Sequence, residues 1–179
     1  MTGEWLGSPV PPQISEPGRG RVNVCIHFRP MTEPDARAIA TWHYAAPYTF
    51  YDFASDPDDL AELLDPAGWG ETYFAATDEA GGLVGYWQVR TQGETAEIGL
   101  GLRPDLTGRG LGLSFLQAGL AFTSARRPAK QLSLAVAVFN ERAIRVYQRA
   151  GFQATGRYWQ ATNGGRYEFI RMIRAVETD

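Results

Sequence analysis

The chain has 179 residues, 44% of them hydrophobic and 21% charged, and a formal net charge of −3. That size and composition fit one globular domain with a core large enough to stand alone, and no apolar run is long enough to cross a bilayer as a helix. Two histidines and one cysteine are too few for a zinc cluster, and net acidity without a dense basic tract argues against nucleic acid as a partner.

The lone cysteine, Cys25, excludes an internal disulfide and points to a reducing, cytoplasmic setting. Charge is unevenly spread. Residues 38–89 carry no Lys or Arg but nine acids, among them Asp52, Asp56, Asp58, Asp59 and Glu62. Residues 103–174 carry twelve basic residues against Asp105, Glu141 and Glu168. Such asymmetry suits a cationic partner on one side and an anionic one on the other.

In chain order, residues 1–21 hold four prolines and four glycines and read as an extended arm rather than a secretory signal, with Trp5 and Leu6 as its anchors. Residues 22–179 form the single folded domain. "VNVCIHFRP" is a first strand that places Cys25 in or beside the core, where a cysteine packs rather than reacts. "MTEPDARAIATWHY" opens a helix with Thr32 as cap and Pro34 and Asp35 in its first turn. "SDPDDLAELL" repeats the pattern, with Ser55 or Asp56 as cap and Leu60, Leu63 and Leu64 on one face. "TYFAATD" and "LVGYWQVR" are strands joined by a "DEAGG" turn, and "TAEIGLGL" is a further strand whose Gly99 and Gly101 signal a bulge or a close backbone approach. After "RPDLTGRGLG" comes a helix, "LGLSFLQAGLAFTSA", with Leu113, Leu116 and Leu120 on one face. "QLSLAVAV" alternates as a strand, and Asn140 caps the helix "ERAIRVYQRA", which Gly151 closes. Two last strands flank the "TNGG" turn. The order β-α-α-β-β-β-α-β-α-β-β describes a mixed α/β (α+β) sheet.

The glycine-rich stretch between strand and helix is the place to look for chemistry. Backbone N–H groups converge there and the helix dipole favours negative charge, although a plain turn would use the same glycines. A Walker loop needs Gly-Lys-Ser/Thr, which the chain lacks, and neither Gly108-x-Gly110 nor Gly99-x-Gly101 completes G-x-G-x-x-G. The pattern that fits is Thr107-x-x-Gly110-x-Gly112. It resembles the acyl-CoA pyrophosphate loop Q/R-x-x-G-x-G/A of the GNAT family of N-acetyltransferases, with Thr in place of Gln or Arg. "NERAIRVYQRAGF" is similar to that family's second signature, and "FRPMTEPDARAIATW" to its opening. The resemblance covers residues 22–174.

The resemblance implies a mixed, mostly antiparallel central sheet flanked by helices, with acetyl-CoA as co-substrate and no metal. It implies that the amides of Gly108, Arg109, Gly110, Leu111, Gly112 and Leu113 hold the pyrophosphate, beside Thr107. The backbone of Leu100, Gly101 and Leu102 would meet the pantetheine, as would Asn140, which can also simply cap its helix. Tyr147 is the implied general acid: a phenol titrates near pH ~10 and a thiol near ~8.5, so the phenol is protonated at neutral pH. On pattern alone the same tyrosine is a core aromatic sharing a face with Ile144. Glu97 is the candidate base, with Asp52 and His43 as weaker ones. The acceptor is a primary amine, cationic by the acids and aromatics of "WHYAAPYTFYDFASDPDD". No nucleic acid or membrane is expected as a partner, and a homodimer is compatible with the chain. The alternative is a non-catalytic acyl-CoA sensor.

Overall fold

The computed structural model describes residues 25–176, so the arm with Trp5 and Leu6 lies outside the described residues. Seven strands form one sheet in the order β1-β2-β3-β4-β5-β7-β6. They are β1 (His27–Pro30), β2 (Tyr73–Thr77), β3 (Leu83–Gln92), β4 (Thr95–Leu102), β5 (Gln131–Ala137), β6 (Gln153–Thr162) and β7 (Gly165–Ala175). Every neighbouring pair is antiparallel except β4 with β5, which is parallel. Among the described residues no helix is long and apolar enough to cross a membrane.

The helices are α1 (Glu33–Ala40), α2 (Pro57–Leu63), the single turn α3 (Pro66–Trp69), α4 (Gly112–Arg126) and α5 (Glu141–Arg149). Their starts follow the capping chemistry of the sequence. Asp35 accepts from the Thr32 N–H at 3.0 Å and from Thr32 Oγ1 at 2.6 Å. Asp56, not Ser55, caps α2 by accepting from the N–H groups of Asp58 and Asp59. Its other oxygen accepts from Thr162 Oγ1 and the Asn163 N–H, which ties α2 to the β6–β7 turn. Between α1 and α2, two 3-10 turns, Tyr48–Tyr51 and Phe53–Ser55, replace a plain loop.

The core has two parts, one on each sheet face. The larger gathers Trp87, Phe115, Leu116, Leu134, Phe152 and Met172 beneath α4 and α5. The smaller packs Ile39, Leu63 and Trp69 from α1–α3 on Tyr73 and Ala75. Burying a side chain of this size contributes roughly 1.5–3 kcal/mol. Trp87 is fully buried and its indole N–H donates to Thr123 Oγ1 at 3.0 Å, so its polar atom is satisfied. Helix α4 lies close to that ring because Gly119 faces it.

One open alternative is decided and two expectations need correction. No bulge interrupts β4 at Gly99 or Gly101, since its register with β3 is unbroken from Gly85↔Leu102 to Gln92↔Thr95. The glycines serve close approach instead, because a Cβ on Gly99 would strike the Gln88 side chain and one on Gly101 the Tyr86 ring. Cys25 is exposed rather than near the core, because pairing in the edge strand β1 begins only at His27. The buried face of α4 is Phe115, Leu116, Gly119, Leu120 and Thr123, with Leu113 half-buried at its margin.

Candidate active site

The parallel pairing of β4 with β5 is short. It runs through Thr95↔Gln131, Ala96↔Leu132 and Glu97↔Ser133 and then stops, although β4 continues to Leu102 and β5 to Ala137. Beyond Glu97 the strands diverge into a wedge. Each keeps its other neighbour, β3 and β7 respectively, so the gap opens inside an otherwise continuous sheet.

The glycine-rich loop follows the open end of β4. A 3-10 turn, Pro104–Leu106, is closed by Thr107 Oγ1 donating to the Pro104 carbonyl at 2.7 Å. The Thr107 hydroxyl is thus engaged within the turn, where a Gln or Arg side chain would extend further. Gly108 and Gly110 have φ of 73° and 78°, and a Cβ on either would meet nothing within 4 Å, so backbone conformation, not crowding, requires glycine there. Helix α4 begins at Gly112. Among the described residues no backbone carbonyl receives the N–H of residues 108–114. Free amides at the positive end of a helix of this length make an anion cradle. Arg109 is exposed beside them.

On the other side of the wedge, Asn140 is buried and caps α5, its Oδ1 accepting from the Ala143 N–H at 3.3 Å. Tyr147 points from α5 into the margin of the larger core, 6.2 Å from the Phe152 ring centroid. Burial, with a smaller contribution from Tyr51, pushes its pKa well above the ordinary phenol value. Glu97 stands at the last position of β4 paired with β5, exposed, opposite Arg90 of β3 and Ser133 of β5. The structure therefore brings the loop, Leu100–Leu102, Asn140 and Tyr147 around one gap and sets Glu97 at its closed end.

The aromatic segment before α2 covers this gap in a way its sequence did not reveal. Tyr44 is buried and its hydroxyl donates to the Leu102 carbonyl at 2.8 Å. The Tyr51 hydroxyl accepts from the Ala137 N–H at 3.2 Å. One segment thus touches the last residue of each diverging strand. Burial, then the Asp52 charge, raises the Tyr44 pKa above the phenol range. Burial also raises Tyr51, offset in part by the Asn140 amide and the Ala137 N–H. Asp52 is buried, with Oδ2 at 2.6 Å from His43 Nδ1 and Oδ1 accepting from the Tyr44 N–H at 2.9 Å. The face of Tyr48 is already occupied by the Arg142 guanidinium, 3.6 Å from the ring centroid. A cavity of about 550 Å³ opens nearby between Phe50, Phe139, Asn163 and Tyr167. Contacts such as Tyr44–Leu102 and Tyr51–Ala137 join residues 58 and 86 positions apart, and no local pattern announces them.

A sheet split at a parallel pair, with free amides at the open end of the split, offers a ligand that carries an anionic group a place between two strands. The Acetyltransferase (GNAT) domain family profile matches residues 26–153, and the chain belongs to that family, whose members take the acetyl group from acetyl-CoA. It is 34% identical over 137 residues to a mycothiol acetyltransferase of Salinispora arenicola, covering 70% of this chain and 43% of that protein. A mycothiol acetyltransferase of Propionibacterium freudenreichii is 36% identical over 96 residues, 51% of this chain and 29% of its own length. The chain thus spans less than half the length of these curated relatives. The fold also matches the crystal structure of spermidine N-acetyltransferase from Vibrio cholerae in complex with CoA and spermine. The TM-score is 0.68 at 20% identity, over 84% of this chain and 95% of that one.

Proposed function

We propose that this domain transfers an acetyl group from acetyl-CoA directly to a primary amine. The observation that carries the reading is the divergence of β4 from β5 after Glu97↔Ser133, with the amides of residues 108–114 at its open end. The pyrophosphate sits on those amides, with Arg109 adding a charge-assisted contact. The pantetheine enters the wedge along Leu100, Gly101 and Leu102 and past Asn140, bringing the thioester toward Tyr147. Half-buried at the core margin and held protonated, the Tyr147 hydroxyl donates to the departing sulfur as the C–S bond breaks. Glu97 draws the ammonium group toward the thioester and is one of two bases within the site's surroundings; the other is the imidazole of His43.

The acceptor is a small cationic amine. Support comes from the nine acids of residues 38–89 and the aromatic-lined cavity beside Phe139. Asp56 is committed to capping and to the β6–β7 turn, so the exposed carboxylates of Asp58 and Asp59 are the ones available to a cation. Calorimetric titration with acetyl-CoA, followed by thiol release on a panel of mono- and polyamines, tests the reading. Binding with amine-dependent thiol release is expected. Absence of acetyl-CoA binding overturns it, and binding without turnover on any amine makes the domain a sensor.

A further inference from the structure

We infer that His43, oriented by Asp52, is the base that removes the proton from the acceptor ammonium group. The inference rests on the acetyl transfer proposed above and assigns its base.

Asp52 is only 7% exposed, and both its oxygens are engaged, one by the Tyr44 N–H and one by His43 Nδ1 at 2.6 Å. An ionised carboxylate only accepts, so the ring nitrogen against it carries the hydrogen, and in the neutral form of the ring the lone pair lies on Nε2. A loop clamp alone would need one N–H donor. The imidazole adds a basic nitrogen on its far edge, and the His43 side chain is 77% exposed, so that nitrogen is open to a ligand. The next residue, Tyr44, donates to the Leu102 carbonyl at the end of β4, which fixes the pair to the segment covering the wedge. A buried carboxylate, an oriented imidazole and an accessible Nε2 are the parts of a positioned base. Asp52 is its positioning residue. Of the charged and titratable groups around the pair, Tyr44 feels the charge of Asp52 and, from α5, that of Arg142, and Arg142 itself lies over the Tyr48 ring.

In the reaction, Nε2 takes one proton from the ammonium group. The freed lone pair forms the C–N bond at the thioester carbonyl carbon. The C–S bond breaks, its electron pair leaves on sulfur, and sulfur takes the Tyr147 proton. The second proton lost by nitrogen restores Tyr147, and His43 returns its proton to solvent, so the net reaction releases one proton.

The test compares wild type with His43→Asn, which keeps an N–H for Asp52 but has no basic nitrogen, and with Glu97→Gln. For His43→Asn, kcat falls about 100-fold or more, while the acetyl-CoA Kd and the melting temperature stay at wild-type values. The acidic limb of the pH profile of kcat disappears in that variant and persists in Glu97→Gln. Added imidazole restores part of the rate of His43→Gly. His43→Asn within about twofold of wild type, with an unchanged pH profile, overturns the assignment and leaves acetyl transfer standing. A kcat loss matched by lost acetyl-CoA affinity also overturns it, as the mark of a structural clamp. A wild-type chain that binds acetyl-CoA but acetylates no amine overturns the transfer reading itself, and this assignment with it.

Discussion

Gly119→Ala sets helix propensity against packing. In an exposed helix the change stabilises by about 1 kcal/mol. Here the new Cβ would lie 2.4–2.5 Å from Cζ3, Cε3 and Cη2 of Trp87, against about 3.5–4.0 Å for carbon atoms in contact. A displacement of about 1 Å is therefore required, and the indole has nowhere to go. It is fully buried, hydrogen-bonded to Thr123, and edge-on to Phe28 and Phe115 with centroids 5.9 and 6.1 Å away. Overpacking of this kind costs about 1–3 kcal/mol, and a rigid ring puts Gly119 at the upper end, so the net loss is about 2 kcal/mol. For a chain of this length that lowers Tm by about 4–8 °C. Urea and thermal unfolding of Gly119→Ala measure it, with Gly156→Ala as control, since a Cβ at Gly156 meets nothing within 4 Å. A Gly119→Ala protein that melts at or above wild type would refute the account of how α4 is seated on the sheet. Because α4 carries the loop amides at its N-terminus, the same variant should also bind acetyl-CoA more weakly.

Tyr147→Phe should keep acetyl-CoA affinity and lower kcat about 100-fold or more, read by thiol release; an unchanged kcat removes the phenol from the mechanism. Gly110→Ala places a Cβ at φ 78° and should raise the acetyl-CoA Kd about tenfold, since a left-handed residue costs about 1–2 kcal/mol; an unchanged Kd in calorimetry would show that the loop does not hold the donor. Neutralising Asp58 and Asp59 together should raise KM for a diamine more than for a monoamine, and equal effects would remove them from acceptor recognition. For Asp35, burial raises the pKa, but hydrogen bonds from Arg29 and Thr32 outweigh it and hold it below the usual carboxylate value. Its contribution is therefore complete above the unfolded pKa and is lost as pH falls through the folded one. Wild type and Asp35→Asn should differ by about 1 kcal/mol at neutral pH, begin to converge only as pH falls below about 3.9, and coincide once pH is below the depressed folded value; a difference that persists in strong acid would contradict the assignment.

The elements were legible where one local rule acted alone. Asp35, Pro34 and Thr32 mark the start of α1, Asn140 and Gly151 bracket α5, and alternation marks β5. The glycines of the loop were legible because positive φ leaves few other residues. Gly99 and Gly101 were ambiguous, because a bulge and a close approach leave the same letter, and only Gln88 and Tyr86 of the neighbouring strand decide. The aromatic segment was legible in composition but not in direction. Its rings suited a cation, yet Tyr44 and Tyr51 turn inward to the backbone of β4 and β5, and Tyr48 faces Arg142. His43 and Asp52 stand nine residues apart in a stretch without periodicity, and they meet only once that segment has folded.

The two hydrogen bonds of Tyr44 and Tyr51 make the segment between them a gauge of the wedge. One end is fastened to Leu102 and the other to Ala137, so the separation of the strands and the shape of residues 44–51 are one variable. A donor that sets the width of the gap also sets the wall the acceptor meets. Linkage then requires that an acceptor which fixes that wall change donor affinity by the same factor.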